Sequence, residues 1–290
     1  MLFLCEPRRV PRLWGSLPGG GEGPLGELWW IYHDDEGSTQ LTGPGGAFRT
    51  TLDRLVRSGR VPGGCTYPLM VKTLHTSRRL SVQVHPGAFG GSQSKEETWI
   101  VLSALPGAWM MGGLLAAAGP GTFTNLSPEE AERTLNRIPL AEGDIWHIPP
   151  GTVHALGPDL EVLEVQDNCD VTYRLYDWGR TDADGRPRRL HIEEGLAAIA
   201  QPPGGMPIRA GAGGRVFPGA ISAGSYGLME LSSPGPVQLS DGEVCFLTSG
   251  RLSADGETHF SPACLIAADG GGELELIEGT GYRVTPGGVS

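Results

Sequence analysis

Leu80-Ser81-Val82-Gln83-Val84-His85-Pro86 alternates apolar and polar side chains. At a strand's period of two, Val82 and Val84 fall on one face and Ser81, Gln83 and His85 on the other. A half-buried strand shows one apolar face to the core and one polar face outward. Here the polar face carries two groups able to ligate a metal, the Gln83 amide and the His85 imidazole. Taken alone, such a face is ordinary surface. Three downstream residues, Glu97, His154 and Arg174, change its meaning.

Working outward, the chain has 290 residues, of which 46 are Gly and 24 Pro, and 39% are hydrophobic. The Gly and Pro residues form no repeat. They punctuate short apolar runs, as expected of many short strands joined by turns, so all-β is the leading fold class. A formal net charge of -11 repels phosphate backbones and argues against nucleic acid as a partner. An anionic small molecule would need a local cationic pocket, and Lys72 and Lys95 are the only lysines. The five cysteines (Cys5, Cys65, Cys169, Cys245, Cys264) are widely spaced with no CxxC pair. That argues against a disulfide framework or a cysteine zinc site and fits a reducing compartment. The N-terminal apolar run is too short for a signal peptide and no run reaches membrane-span length, so the expected location is the cytoplasm.

Strands are expected over 26–33, 67–74, 80–85, 98–102, 145–148, 160–166 and 171–178. Leu52, Leu55 and Val56 fall at helical spacing behind Thr50 or Thr51 as a cap. Ser127 caps a second helix, with Pro128 at its first position and Glu130 completing a capping box. A third helix is expected over 191–200, and the region 103–123 reads as a flexible Gly/Ala-rich stretch. The segment 201–214 is the best linker candidate. It divides the chain into residues 1–205, expected to hold the site, and 206–290, expected to be a smaller all-β unit of short strands and Gly turns.

Four features carry chemistry. Gln83 and His85 share a face. Glu97 opens a strand shortly after them, within Lys95-Glu96-Glu97-Thr98-Trp99. In Gly143–Leu156, a strand, a Pro/Gly turn and then His154 follow one another, which aims His154 inward; His147 sits mid-strand and is the weaker ligand candidate. Glu164 and Arg174 are equidistant from Cys169, so a hairpin centred there would set them opposite each other. Two histidines, a carboxylate and an amide form an N/O set suited to Zn²⁺ with an open position, with Mn²⁺ and Fe²⁺ also compatible.

With these stretches assembled, the chain resembles the type I mannose-6-phosphate isomerases of the short bacterial kind, members of the cupin superfamily. The resemblance is carried by Gly26–Trp29, Pro68–Lys72, Leu80–Pro86, Lys95–Trp99, Gly143–Ala155, Thr172–Asp177 and Leu190–Ile192. It implies a mainly β, double-stranded β-helix (cupin jelly-roll) with a few helices, followed by a second, smaller degenerate jelly-roll. It also implies one zinc ion per chain, with Gln83, His85, Glu97 and His154 as ligands and Arg174 as the catalytic arginine. Ser81 and Lys95 fall where the family contacts substrate, at its phosphate. The implied activity is interconversion of mannose 6-phosphate and fructose 6-phosphate through an enediol, with the base left open between Glu164 and a water on the metal. The expected partner is a small sugar phosphate, with no nucleic acid or membrane, on a monomer or homodimer. Two other classes compete. One is a non-catalytic sugar-phosphate-binding bicupin, suggested by the short loop Gly87–Ser94. The other is an iron-dependent cupin oxygenase, against which Gln83 weighs because such sites favour histidines and a carboxylate.

Overall fold

The computed structural model describes residues 1–18, 24–87, 94–116, 121–124, 126–181, 184–200, 206–216 and 225–287. The loop residues 88–93 and the linker residues 201–205 singled out above lie outside that set. Among the described residues the chain is mainly β, in antiparallel sheets, with three short α-helices.

Both expected caps form. Thr51 accepts from Arg54 N at the start of helix Leu52–Arg57. Ser127 and Glu130 exchange side-chain and backbone hydrogen bonds in a full capping box at helix Pro128–Thr134. That helix runs straight into a strand, Leu135–Pro139.

The chain forms two compact units that are not contiguous in sequence. One comprises residues 1–10, 28–73 and 210–290, and the other 11–27 and 74–209. The division near 210 falls close to the linker read from sequence, but the first residues of the chain belong with the last. Leu2–Glu6 pairs with Ala263–Ala267 on one side and with Gln40–Thr42 on the other. The core of this unit gathers Leu2, Leu239, Leu247, Leu252, Leu265 and Leu276.

Within the stretch expected to be short strands and Gly turns, residues 273–277 and 282–284 belong to one strand, Gly272–Pro286, paired along its length with Val244–Ala254. The glycines between them are not a turn. Gly250 and Gly279 stand directly opposite each other with φ of +84° and +102°. A Cβ on Gly279 would collide with the Ser249 carbonyl, so the close backbone approach admits only glycine.

In the unit of residues 11–27 and 74–209, five strands pair in the order Leu135–Pro139, Trp109–Leu114, His154–Leu156, Val82–Val84, Tyr173–Tyr176. Another sheet sets Ile145–Ile148, Glu97–Ala104 and Leu160–Asp167 side by side in that order. Part of the region read as flexible is a fully buried strand, Trp109–Leu114. Its Gly112-Gly113 pair, which obscures a strand pattern, makes room for Pro207 and Met206 packed against it. The proposed hairpin about Cys169 does not form. Leu160–Asp167 and Tyr173–Tyr176 lie in different sheets, so Glu164 and Arg174 are not cross-strand partners. Apolar alternation specifies a strand's faces but not its partner, and here the chain crosses between sheets instead of folding back.

Candidate metal centre

Four local features bring the site together. Gln83 is registered opposite His154 on one neighbouring strand and opposite Arg174 on the other. Glu97 begins the strand of the other sheet, opposite Gln166 and Ile148. His85 follows the end of its strand, and its carbonyl accepts from Gly151 N at 3.1 Å. That bond ties the turn before His154 to the His85 backbone. Gly151 has φ of +77°, and a Cβ there would lie 2.8 Å from both Ala198 O and Ala200 N, so the turn needs glycine.

The result is a buried cluster in which His85, Glu97 and His154 each offer a ligand atom, all within 4.8 Å of one another. His85 Nε2 lies 3.0 Å from Glu97 Oε2, and His154 Nε2 lies 3.2 Å from Glu97 Oε1. Each ring is oriented from behind by a backbone carbonyl. His85 Nδ1 faces Val171 O at 3.1 Å and His154 Nδ1 faces Thr152 O at 2.9 Å. A carbonyl only accepts, so each Nδ1 carries the proton and each Nε2 presents a lone pair to the carboxylate.

Lone pairs facing lone pairs in a buried place call for a cation. Lys95 supplies one, with Nζ 3.4 Å from Glu97 Oε2 and 3.3 Å from His85 Nε2. Gln83 Nε2 donates toward His154 Nε2 at 3.2 Å, and Ser81 Oγ donates to Gln83 Oε1 at 3.3 Å. Glu97 Oε1 still lacks a well-formed hydrogen bond despite full burial. The donor set of two imidazoles and a carboxylate, with an amide beside them, therefore fits a divalent metal cation.

Charge states follow the surroundings. Burial, then the neighbouring Lys95 ammonium, pushes His85 down to about 4. Burial works to raise the Glu97 carboxyl, but its cationic surroundings, with the Lys95 ammonium 3.4 Å away, hold the group well below the usual carboxylate range. Burial and the nearby Arg188 and Arg180 guanidiniums pull Arg174 down.

The remaining expected residues surround this cluster. Glu164 shares the face of Gln166 and Glu97 by its register opposite Trp99, and it accepts from Trp99 Nε1 at 2.9 Å. Arg174 donates through Nη1 to Arg189 O at 2.9 Å, while its buried Nε has no hydrogen bond. Lys95, expected at a substrate phosphate, turns inward to Glu97. His147 faces Thr98 and Glu96 on the opposite side of the strand, away from the cluster.

The sequence reading passed over Trp99, whose ring stands edge-on to His154 with centroids 5.4 Å apart. Its signal was the period of two from Glu97. The carbonyls of Val171 and Thr152 leave no trace in side-chain patterns.

No family model matches the chain. The curated protein "Probable mannose-6-phosphate isomerase GmuF" of Bacillus subtilis (strain 168) is 32% identical over 221 residues, 69% of each chain. The chain belongs to the mannose-6-phosphate isomerase family. Mannose-6-phosphate isomerase ManA of the same organism is 36% identical over 145 residues, 48% of this chain and 46% of that protein. The matched region thus spans about half the length of that relative. The fold is shared with the crystal structure of mannose 6-phosphate isomerase from Bacillus subtilis, with a TM-score of 0.78 at 22% identity over 98% of this chain and 99% of that one. That similarity is to a cupin-type β architecture. No helix among the described residues is long and apolar enough to cross a membrane.

Proposed function

We propose that the chain is a zinc-dependent aldose–ketose isomerase acting on mannose 6-phosphate and fructose 6-phosphate in the cytoplasm, as a monomer or homodimer. The observation that carries this reading is the buried convergence of His85, Glu97 and His154 on strands that also place Gln83 and Arg174. Its occurrence in a chain of this family supports the choice of reaction.

In this reading His85, Glu97, His154 and Gln83 would hold the ion. When bound, zinc supplies Lewis-acid polarisation of the sugar oxygens. The rest of the work falls to the chain's own residues. Aldose–ketose exchange removes a proton from C2 of the aldose, returns one to C1 through an enediol, and moves a hydroxyl proton between O1 and O2. Glu164 is the base of this proposal: it is a buried carboxylate on the face of Glu97, oriented by the Trp99 indole N–H. Arg174, with an unsatisfied Nε, stabilises the oxygen that becomes negative. Ser81, beside Gln83, is the residue this proposal gives to the substrate phosphate, while Lys95 pairs with Glu97 at the floor of the site. Lys95 gives this acidic chain a cation at the site, and Arg174, Arg180 and Arg188 add further positive charge.

The test is turnover of mannose 6-phosphate by zinc-loaded protein in a coupled assay. Arg174→Ala is expected to lower kcat by at least 100-fold, on the scale of removing a charge-stabilising donor, with zinc content kept. Folded, zinc-loaded protein with no detectable turnover would overturn the isomerase reading. Activity surviving in Arg174→Ala would overturn the role given to that residue.

A further inference from the structure

Immediately after the strand that carries Arg174, Asp177-Trp178-Gly179-Arg180 turns the chain back, with Arg180 N donating to Asp177 O at 3.0 Å. φ is +61° at Trp178 and +69° at Gly179. Positive φ at both central residues is the mark of a type I′ turn, which favours Asn, Asp or Gly at these places. A bulky aromatic side chain is poorly suited to the left-handed region. The turn itself gives no reason for tryptophan at position 178.

The indole supplies the reason. Its Nε1 donates to Leu80 O at 2.6 Å. The Arg79 guanidinium carbon sits 3.6 Å from its ring centroid, and the Tyr176 ring meets it edge-on at 5.1 Å. The far end of the turn repeats the pattern, since Arg180 Nη1 donates to Arg79 O at 2.8 Å. Asp177, buried, holds the Arg180 guanidinium and also accepts from Arg188 Nη1 at 3.0 Å. Arg79 is fixed in turn by Glu132 of the capped helix at 2.6 Å. One turn therefore grips two consecutive carbonyls, those of Arg79 and Leu80.

Those carbonyls lead directly into Ser81 and Gln83. The strand they enter, Val82–Val84, is only three residues long, so ladder hydrogen bonds alone hold it weakly. We propose that the Asp177–Arg180 turn is a latch on this strand and that Trp178 is a positioning residue. Its indole N–H fixes Leu80, and through it the placement of Ser81 and Gln83 against His154 and Arg174. The inference rests on the reading of His85, Glu97 and His154 as a metal centre. It extends that reading by assigning the strained turn a role in metal retention. Left-handed strain at a bulky residue persists only where surrounding contacts over-determine it, and three contacts, to Leu80 O, Arg79 and Tyr176, meet at this indole.

The experiment uses the full chain and two variants. Trp178→Phe keeps the ring and removes the N–H. Trp178→Asn suits the turn's backbone and removes both N–H and stacking. Zinc affinity is measured by competition with a chromogenic chelator, and backbone hydrogen exchange is followed over residues 79–85. Both variants are expected to weaken zinc binding by about tenfold and to speed exchange across Leu80–His85. Tyr67→Phe, which removes a buried hydrogen bond elsewhere, is expected to lower Tm while changing neither quantity. Zinc affinity within twofold of the parent and unchanged exchange in both variants would overturn the latch. So would equal changes in Tyr67→Phe, which would mark general loosening. If the parent chain binds no zinc, the metal reading falls, and exchange at Leu80–His85 still decides the latch.

Discussion

Replacing Glu97 by glutamine tests the electrostatics of the cluster without any metal. Glu97 and Lys95 are both buried, with Nζ 3.4 Å from Oε2. At an effective dielectric constant of about 20, a pair at that separation attracts by roughly 5 kcal/mol, against which burial of both charges counts. Glu97→Gln leaves the Lys95 ammonium facing only the His85 lone pair and the new amide. Breaking a buried pair on one side costs about 3–5 kcal/mol. For a domain of this size that corresponds to a drop in Tm of roughly 6–20 °C. Replacing both partners, Lys95→Met with Glu97→Gln, removes the uncompensated charge and is expected to recover about 2 kcal/mol or more of that loss. Urea unfolding of protein stripped with chelator, carried out as a double-mutant cycle, measures these quantities directly. A loss below about 1 kcal/mol in the single variant would refute the account, because Glu97 would not then be the counter-charge of Lys95. A double variant no more stable than the single would refute it equally.

Two further outcomes follow from particular contacts. Burial raises the Tyr67 hydroxyl well above its usual value, and the group donates to Gly242 O at 2.6 Å. A pKa raised on folding gives stability that is full below about pH 10 and is lost as pH rises through the folded value. Alkaline melts should therefore fall less steeply for Tyr67→Phe, which also loses about 1–2 kcal/mol at neutral pH; identical slopes would show that the phenol does not titrate with unfolding. Gly151→Ala forces a side chain onto Ala198 O and Ala200 N in a left-handed turn. A loss of about 1–3 kcal/mol is expected together with weaker zinc binding, read by Tm and chelator competition; unchanged zinc affinity would show that this turn does not set His154.

Much of this was legible because it is local. The capping box at Ser127 and Glu130 needs only four consecutive residues, and it forms as read. The alternation at Ser81, Gln83 and His85 specifies a shared face, and the register opposite His154 and Arg174 builds on it. What failed was pairing at a distance. Glu164 and Arg174 are symmetric about Cys169 in sequence, yet their strands belong to different sheets. Glycine was the other source of error. Gly112-Gly113 and Gly279 looked like breaks in pattern, whereas each marks a strand position where another segment comes too close for a side chain. Lys95 illustrates a third limit. Its charge suggested an outward task, but burial and pairing with Glu97 depend on neighbours that its own segment does not reveal.

The strand Leu2–Glu6 lies between Gln40–Thr42, close by in sequence, and Ala263–Ala267, at the far end of the chain. During synthesis on a ribosome, one edge of that strand finds its neighbour early. The other stays open until residues 263–267 have been made. An unpaired strand edge is a template for adventitious pairing, so the nascent protein carries an aggregation hazard until that partner emerges. The same order means that cutting the chain near residue 210 is not the removal of an appendage. It leaves the strand Leu2–Glu6 without its partner Ala263–Ala267.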